Sequence, residues 1–248
     1  MKDNFSSHSD QYARYRPAYP DALFDYIQTI QTGKERAWDC ATGNGQAAQK
    51  LAPLFGEVHA TDISQSQLDH AIRLPNIYYS VQAAEKTNFP DNYFDLVMVA
   101  QAVHWFRFDA FYAEVRRTAK KNAVLVITGY GRIMVAPELD SIINRFYYDI
   151  VGPHWDAERH YIDEGYQTIP FPFEELTSPS FNITYEWTLE HLLGYLQTWS
   201  AVKHYQTQNG SNPVALIETD LRRQWGSAKQ RSVCFPLLLR VGKIKPDM

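Results

Sequence analysis

The chain has only two cysteines, Cys40 and Cys234, and neither sits in a CxxC pair. That argues against a disulfide framework and against a zinc knuckle. An excess of one charge is missing too. Lys and Arg number 24 against 28 Asp and Glu, giving −4 and a pI near 6.1, so no global field is available to hold nucleic acid or an anionic membrane. No apolar window approaches a membrane span, and "MKDNFSSHSDQYARYRP" lacks the apolar centre of a signal peptide. A cytoplasmic protein with no membrane partner is expected. Internal repeats and low-complexity tracts are absent as well.

What is present fits one core. At 248 residues and 45% hydrophobic content the chain can bury a single substantial core with a small appendage. After the proline-bracketed "RPAYP" (Arg16–Pro20), apolar spacing predicts a helix over Asp21–Thr32. Strands are then expected at Ala37–Cys40, Glu57–Thr61, Ile77–Ala83, Tyr93–Ala100 and Ala123–Gly129. Helices are expected between them at Gly45–Leu54, Ser64–Arg73 and Phe108–Lys120. The continuous apolar run "YFDLVMVA" suits a central parallel strand buried on both faces. This alternation predicts a doubly wound α/β sheet.

Beyond Gly129 the alternation stops. "PELDSIINRFYYDIV" and "LEHLLGYLQTWSAVKHYQTQ" read as helices, and "NPVALIETDLRRQWG" as a helix with proline at its start and glycine at its end. "FNITYEWT" and "VCFPLLLRVG" read as strands that complete the same sheet. One domain, 1–248, is therefore expected, with a lid over 1–20 and cap helices inserted at 132–176 and 188–230.

The loop "WDCATGNG" (Trp38–Gly45) lies between the first strand and its helix. Close glycines there let a ligand approach the backbone and the helix N-terminus. Gly43-Asn44-Gly45-Gln46-Ala47-Ala48 also fits a permissive dinucleotide fingerprint, so the glycines do not choose the ligand. Two acids do. Asp39, four residues before Gly43, would repel a pyrophosphate but suits an ammonium group. Asp62 ends the second strand, where a carboxylate can accept both hydroxyls of a ribose. An adenosine joined to an amino acid meets both conditions, which points to S-adenosyl-L-methionine (SAM) with S-adenosyl-L-homocysteine (SAH) as product. No second βαβαβ half follows the fifth strand, which weakens a dehydrogenase.

On "WDCATGNGQ", "ATDIS", "QAAEKTNFPDNYFDLVMVAQAVHWF" and "YARYRPAYP", the sequence resembles the class I SAM-dependent methyltransferases. Within them it is similar to the small-molecule branch of trans-aconitate methyltransferase and the yeast cantharidin-detoxifying enzyme. "TWSAVKHYQ", "NPV…LRRQWG" and "FPLLLRVGKI" carry the likeness over nearly the whole chain. The resemblance implies a seven-stranded, mostly parallel Rossmann-like sheet with its last strand antiparallel. It puts Asp39, Ala41, Gly43 and Gly45 under the methionine moiety, Asp62 and Ile63 at the ribose, and Ala84 and Glu85 beside the adenine. Gln101 and His104 would lie near the sulfonium, and Tyr12 and Arg16 would close over the cofactor.

Two positions depart from the family pattern. Ala41 replaces its first glycine, tolerable if the backbone φ there is negative. Ala83 stands in place of an adenine-binding Asp, leaving adenine to backbone groups or Glu85.

Methyl transfer from a sulfonium is an in-line displacement, in which proximity can supply roughly 7–11 kcal/mol. His104 is the expected catalytic group, as base for a hydroxyl or as an orienting partner for a carboxylate. His104, Trp105, Arg132 and Tyr147 are the expected substrate contacts, with Arg159 a further candidate from the cap. "HWDAERHY" (His154–Tyr161) matches no common zinc spacing, so no metal is expected. The expected function is SAM-dependent methylation of a small molecule, on a carboxylate or hydroxyl oxygen, by a monomer or weak homodimer. The rival readings are methylation of nucleic acid, disfavoured because "AQAVHWF" stands where an Asn/Asp-Pro-Pro-aromatic segment would be, and SAM binding without turnover.

Overall fold

The computed structural model describes residues 15–244; Tyr12 and most of the expected lid lie outside them. A helix α1 (Asp21–Ile30) precedes strand β1 (Arg36–Cys40), helix α2 (Gln46–Leu51), strand β2 (Glu57–Asp62), helix α3 (Gln65–Asp69) and strand β3 (Ile77–Val81). Strand β4 (Phe94–Ala100), helix α4 (Phe108–Thr118) and strand β5 (Ala119–Tyr130) follow. The spatial order runs β3-β2-β1-β4-β5 with every neighbouring pair parallel.

Period-2 patterning makes this sheet. Ala37, Leu96, Met98, Val124 and Val126 face one side and pack with Leu23, Ile27, Ala48 and Leu51 of α1 and α2. Their sequence neighbours Trp38, Val97, Val99, Leu125 and Ile127 face the other side, with Phe111 and Val115 of α4. Fully burying each Val, Leu or Ile contributes roughly 1.5–3 kcal/mol. Trp38 stacks on Phe94, and its indole N–H donates to Thr61 Oγ1 at 2.9 Å, so its one polar atom is satisfied in the core. Buried Asp95 accepts the Glu35 and Arg36 amides at 2.9 Å each and meets Lys120 Nζ at 3.0 Å, which fixes where β1 begins.

The second half adds helix α5 (Pro137–Arg145), helix α6 (His160–Asp163), strand β6 (Glu174–Glu175) and strand β7 (Asn182–Trp187). Helices α7 (Leu189–Gln197), α8 (Ser200–Asn209) and α9 (Ala215–Trp225) and strand β8 (Arg231–Lys243) complete it. β8 runs antiparallel to β5 and carries β6 and β7. The mostly parallel sheet with an antiparallel last strand is thus present. Among the described residues it has eight strands where seven were expected, because two short strands share the place beside the thirteen-residue β8.

Other boundaries also differ. α2 and α3 are shorter than their spacing suggests, and β5 starts at Ala119, directly after α4. The single helix expected after Thr188 is two, broken at Thr198–Trp199. α5 runs into a π-helical turn, Phe146–Ile150. No described helix is long and apolar enough to cross a membrane.

Candidate active site

β1 and β4 are neighbours, yet the chain leaves β1 towards β2 and leaves β4 towards β5. The connections diverge and open a crevice at the strands' C-terminal ends, where doubly wound sheets bind ligands. A cavity with about 940 Å³ of empty space, part of it open to solvent, lies there. Its floor is the β1 loop, with Ala41, Thr42, Gly43 and Asn44. Asp62, Ile63, Ser64 and Gln67 form one wall; Gln101, Trp105 and Tyr130 form the other. Arg16, Pro17 and Tyr19 border it from the N-terminal segment.

Asp62 ties this floor to its wall. Oδ2 accepts the Gly43 amide and Oδ1 the Ser64 amide, both at 2.9 Å. A carboxylate has lone pairs left after two such bonds, so Asp62 can also accept ligand hydroxyls. Gly43 (φ +56°) has room for a Cβ, the nearest atom being 3.8 Å away, so its backbone angle rather than crowding selects glycine. Gly45 (φ +84°) is selected by packing as well: a Cβ there would fall 2.3 Å from the Tyr79 hydroxyl.

Ala41 corrects an expectation. Its φ is +55°, not negative, so an alanine occupies the left-handed region that the family's glycine would take freely, a strain of roughly 1–2 kcal/mol. Ala41→Gly is expected to raise unfolding free energy by about 0.5–1 kcal/mol, the released strain less the entropy glycine adds to the unfolded chain. Urea denaturation measures it, and a loss of stability would mean the methyl contacts outweigh the strain.

Asp39 is also placed differently from the expectation. It is fully buried beneath the loop and does not line the cavity. Its Oδ2 accepts the Thr42 hydroxyl at 2.5 Å, while Oδ1 has no hydrogen-bond partner among the described residues. Burial raises its pKa to about 7, with the Thr42 hydroxyl and then the Ala48 amide opposing and the charge of Asp62 assisting. Thr42, which does line the cavity, stands between Asp39 and any ligand.

Gln101 adopts φ +57° straight after β4. Its amide donates to Thr128 O at 2.8 Å, and its side-chain oxygen accepts the Tyr130 amide at 2.9 Å. β5 thereby holds a strained residue at the cavity wall, a pattern typical of functional sites.

A second, smaller cavity with about 470 Å³ of empty space shares Arg16, Gln101 and Trp105 with the first. His104, Trp155, Asp156, Arg159, Ile162 and Ser200 complete its walls. Arg16 is braced here: Nε donates to Thr198 Oγ1 at 3.0 Å and a terminal nitrogen to Thr198 O at 3.2 Å. His104 is buried, with Nδ1 3.2 Å from the Tyr166 hydroxyl. Burial, then the charge of Arg159, lowers its pKa to about 3, so it is neutral at physiological pH and a weak base.

Of the sequence candidates, Arg16, Ala41, Gly43, Asp62, Ile63, Gln101 and Trp105 meet at the larger cavity, and His104 and Arg159 at the smaller. Gly45 is not among the lining residues of either cavity. Ala84 is buried outside both, and Glu85 accepts the Arg107 amide at 3.1 Å just ahead of α4. Arg132 donates to Asn144 and stacks on Tyr148, while Tyr147 is buried behind Arg159; neither lines these two cavities. Sequence reasoning passed over Thr42, Gln67 and Tyr130. Tyr130 carried a usable signal, as the residue that ends a strand at the binding edge of the sheet.

Comparison with known proteins agrees with this architecture. A model of the family described as "Methyltransferase domain" matches residues 38–127. A Dictyostelium discoideum chain named as a methyltransferase is 31% identical over 97% of this chain and 95% of its own length. The solved structure of an Anaeromyxobacter dehalogenans chain described as a type II methyltransferase superposes with a TM-score of 0.87 at 40% identity. That superposition covers 94% of this chain and 100% of the other. Haemonchus contortus phosphoethanolamine N-methyltransferase 2, solved in complex with SAM, shares the fold at TM-score 0.50 and 18% identity, over 98% of this chain and 58% of its own. The chain belongs to the class I SAM-dependent methyltransferases.

Proposed function

We propose that this protein transfers a methyl group from SAM, held in the larger cavity, to an oxygen of a small molecule held in the smaller one. The observation that carries the reading is the pairing of two cavities across one shared wall, Arg16, Gln101 and Trp105. A donor and an acceptor held in adjoining cavities would lie next to each other at these three residues. The larger cavity suits the cofactor by its place at the C-terminal ends of β1 and β4. It suits it also by the Asp62 carboxylate and by the open backbone at Gly43.

In this reading Asp62 accepts the ribose hydroxyls, Gly43 and Asn44 admit the methionine portion, and Thr42 lies between that portion and the buried Asp39. When bound, SAM supplies a methyl group on a sulfonium centre. A lone pair of the acceptor oxygen forms the new bond to that methyl carbon, and the breaking C–S pair stays on sulfur as SAH. His104 and Trp105 orient the acceptor. A histidine with a pKa near 3 is a poor proton acceptor at neutral pH, whereas a carboxylate, with a reference pKa of about 4, needs none. An ionised carboxylate oxygen is therefore favoured over a neutral hydroxyl. The segment up to Pro20 acts as lid, and the helices within 132–176 and 188–230 act as cap. On this reading the chain is assigned to the small-molecule branch around trans-aconitate methyltransferase and the yeast cantharidin-detoxifying enzyme, on the sequence resemblance.

The test is transfer from methyl-labelled SAM across a panel of carboxylic acids, phenols and amines. Base-labile label in carboxylic acid products is expected. Label confined to amines, or to added tRNA or DNA, would refute the reading.

A further inference from the structure

Arg159 enters the smaller cavity from a single 3₁₀ turn, Ala157–Arg159, just before α6. Its guanidinium lies 4.7 Å from the Trp155 ring centroid and 5.4 Å from that of Tyr147. Nε donates to the Tyr147 hydroxyl at 2.8 Å, and that hydroxyl donates in turn to Asp163 at 2.7 and 2.8 Å. Tyr147 is fully buried, and burial keeps its phenol protonated by raising its pKa. The π-helical turn Phe146–Ile150 sets it there, and Trp155 Nε1 donates to its carbonyl at 3.2 Å. π-Turns inside helices often mark functional sites.

The phenol is a spacer. It uses its lone pair on Arg159 and its proton on Asp163, and holds Arg159 Nε 4.0 Å from Asp163 Oδ1. A bidentate Arg–carboxylate pair forms at about 2.7–2.9 Å. Asp163 is therefore kept from claiming the guanidinium fork, and the terminal nitrogens of Arg159 make no hydrogen bond to the described residues. Among the described residues the other charged groups lining this cavity are Arg16 and Asp156, so the formal balance of that lining is positive.

We infer that Arg159 is the residue that selects the acceptor, taking a carboxylate of the acceptor on its free fork, and that Tyr147 is a positioning residue that keeps Asp163 from occupying it. This rests on the reading of the smaller cavity as the acceptor compartment. Arg159 touches the substrate; Tyr147 and Asp163 act through Arg159.

The test uses the full chain saturated with SAH and ligand-observed NMR of benzoate, phenylacetate and succinate, each against its primary amide. At least one acid is expected to bind about tenfold or more tighter than its amide. Arg159→Gln is expected to erase that preference, and Arg159→Lys, which keeps charge and loses the fork, to reduce it. Tyr147→Phe is expected to weaken the acid about 5- to 10-fold, because Asp163 can then close on Arg159. Adding Asp163→Asn to Tyr147→Phe is expected to restore binding to within about threefold, a rescue that a purely structural tyrosine would not show. In turnover, Tyr147→Phe should raise KM with kcat nearly unchanged. Amides that bind as well as acids, no acid bound at tens of millimolar, or an unchanged preference in Arg159→Gln would each overturn the inference. Failure of the wild-type chain to take up SAH would instead remove the functional reading on which it rests.

Discussion

Asp62→Ala is expected to weaken SAH binding by about 100-fold or more. The carboxylate holds the Gly43 and Ser64 amides, each at 2.9 Å, and so joins the floor and wall of the cavity while facing the ligand. Removing it leaves two amides without acceptors and takes away the acceptor for both ribose hydroxyls. Hydrogen bonds to a charged group contribute about 1.5–3 kcal/mol each, and two lost ligand bonds alone reach about 3 kcal/mol, over 100-fold in affinity. Asp62→Asn keeps one carbonyl oxygen but turns an NH₂ towards one of the amides, and an intermediate loss is expected. Asp39→Asn should cost less affinity than Asp62→Ala, because Asp39 lies beneath Thr42 rather than in the cavity. Isothermal titration on folded variants compares all three, and an Asp62→Ala affinity within threefold of wild type would contradict the assignment.

The second large effect concerns stability against pH, where two buried groups oppose each other. Asp39 has a folded pKa of about 7 against roughly 3.9 unfolded. Between these values the native chain holds a proton that the unfolded chain lacks, so stability falls as pH rises, by up to roughly 4 kcal/mol once pH exceeds the folded pKa. His104 has a folded pKa of about 3 against roughly 6.5 unfolded. Between those values the unfolded chain holds the extra proton, so stability is full above the unfolded pKa and is lost as pH falls. From about pH 4 to 6.5 the two slopes cancel.

Removing either group exposes the other. Asp39→Asn is expected to be more stable than wild type at about pH 8 and to lose stability steeply on acidification. His104→Gln is expected to gain stability on acidification from about pH 7 to pH 4. Asp62 and Thr42 face Asp39, and Arg159 and Tyr166 face His104; all four are common to both variants and the wild type. Urea denaturation across this range measures the three profiles, and parallel curves would show that neither group is perturbed by burial.

The parallel sheet was legible because β1, β4 and β5 are dense apolar runs whose alternate residues must face opposite layers. The two-residue β6 carries no such pattern, since only pairing with β8 makes it a strand. The π-turn was hidden for a different reason: Phe146–Ile150 continues the helical apolar spacing, and one extra residue per turn leaves no mark on composition. At the candidate site, Gly43 and Asp62 could be read from the loop after β1 and the end of β2, which topology brings together, whereas Gln101 was readable only through the family resemblance. Asp39 lies at the end of β1, but the Thr42 side chain that folds over it could not be read, and the acid is sealed as a result. Arg132 and Tyr147 lay in the right segment, yet only packing decides which residue of a cap turns inward, and it is Arg159 that does.

The central claim, that the crevice between β1 and β4 is a SAM site, is tested most directly by titrating SAH into the folded wild-type chain in a calorimeter. One site per chain with micromolar affinity is expected. No heat at near-millimolar SAH from protein shown to be folded would contradict it.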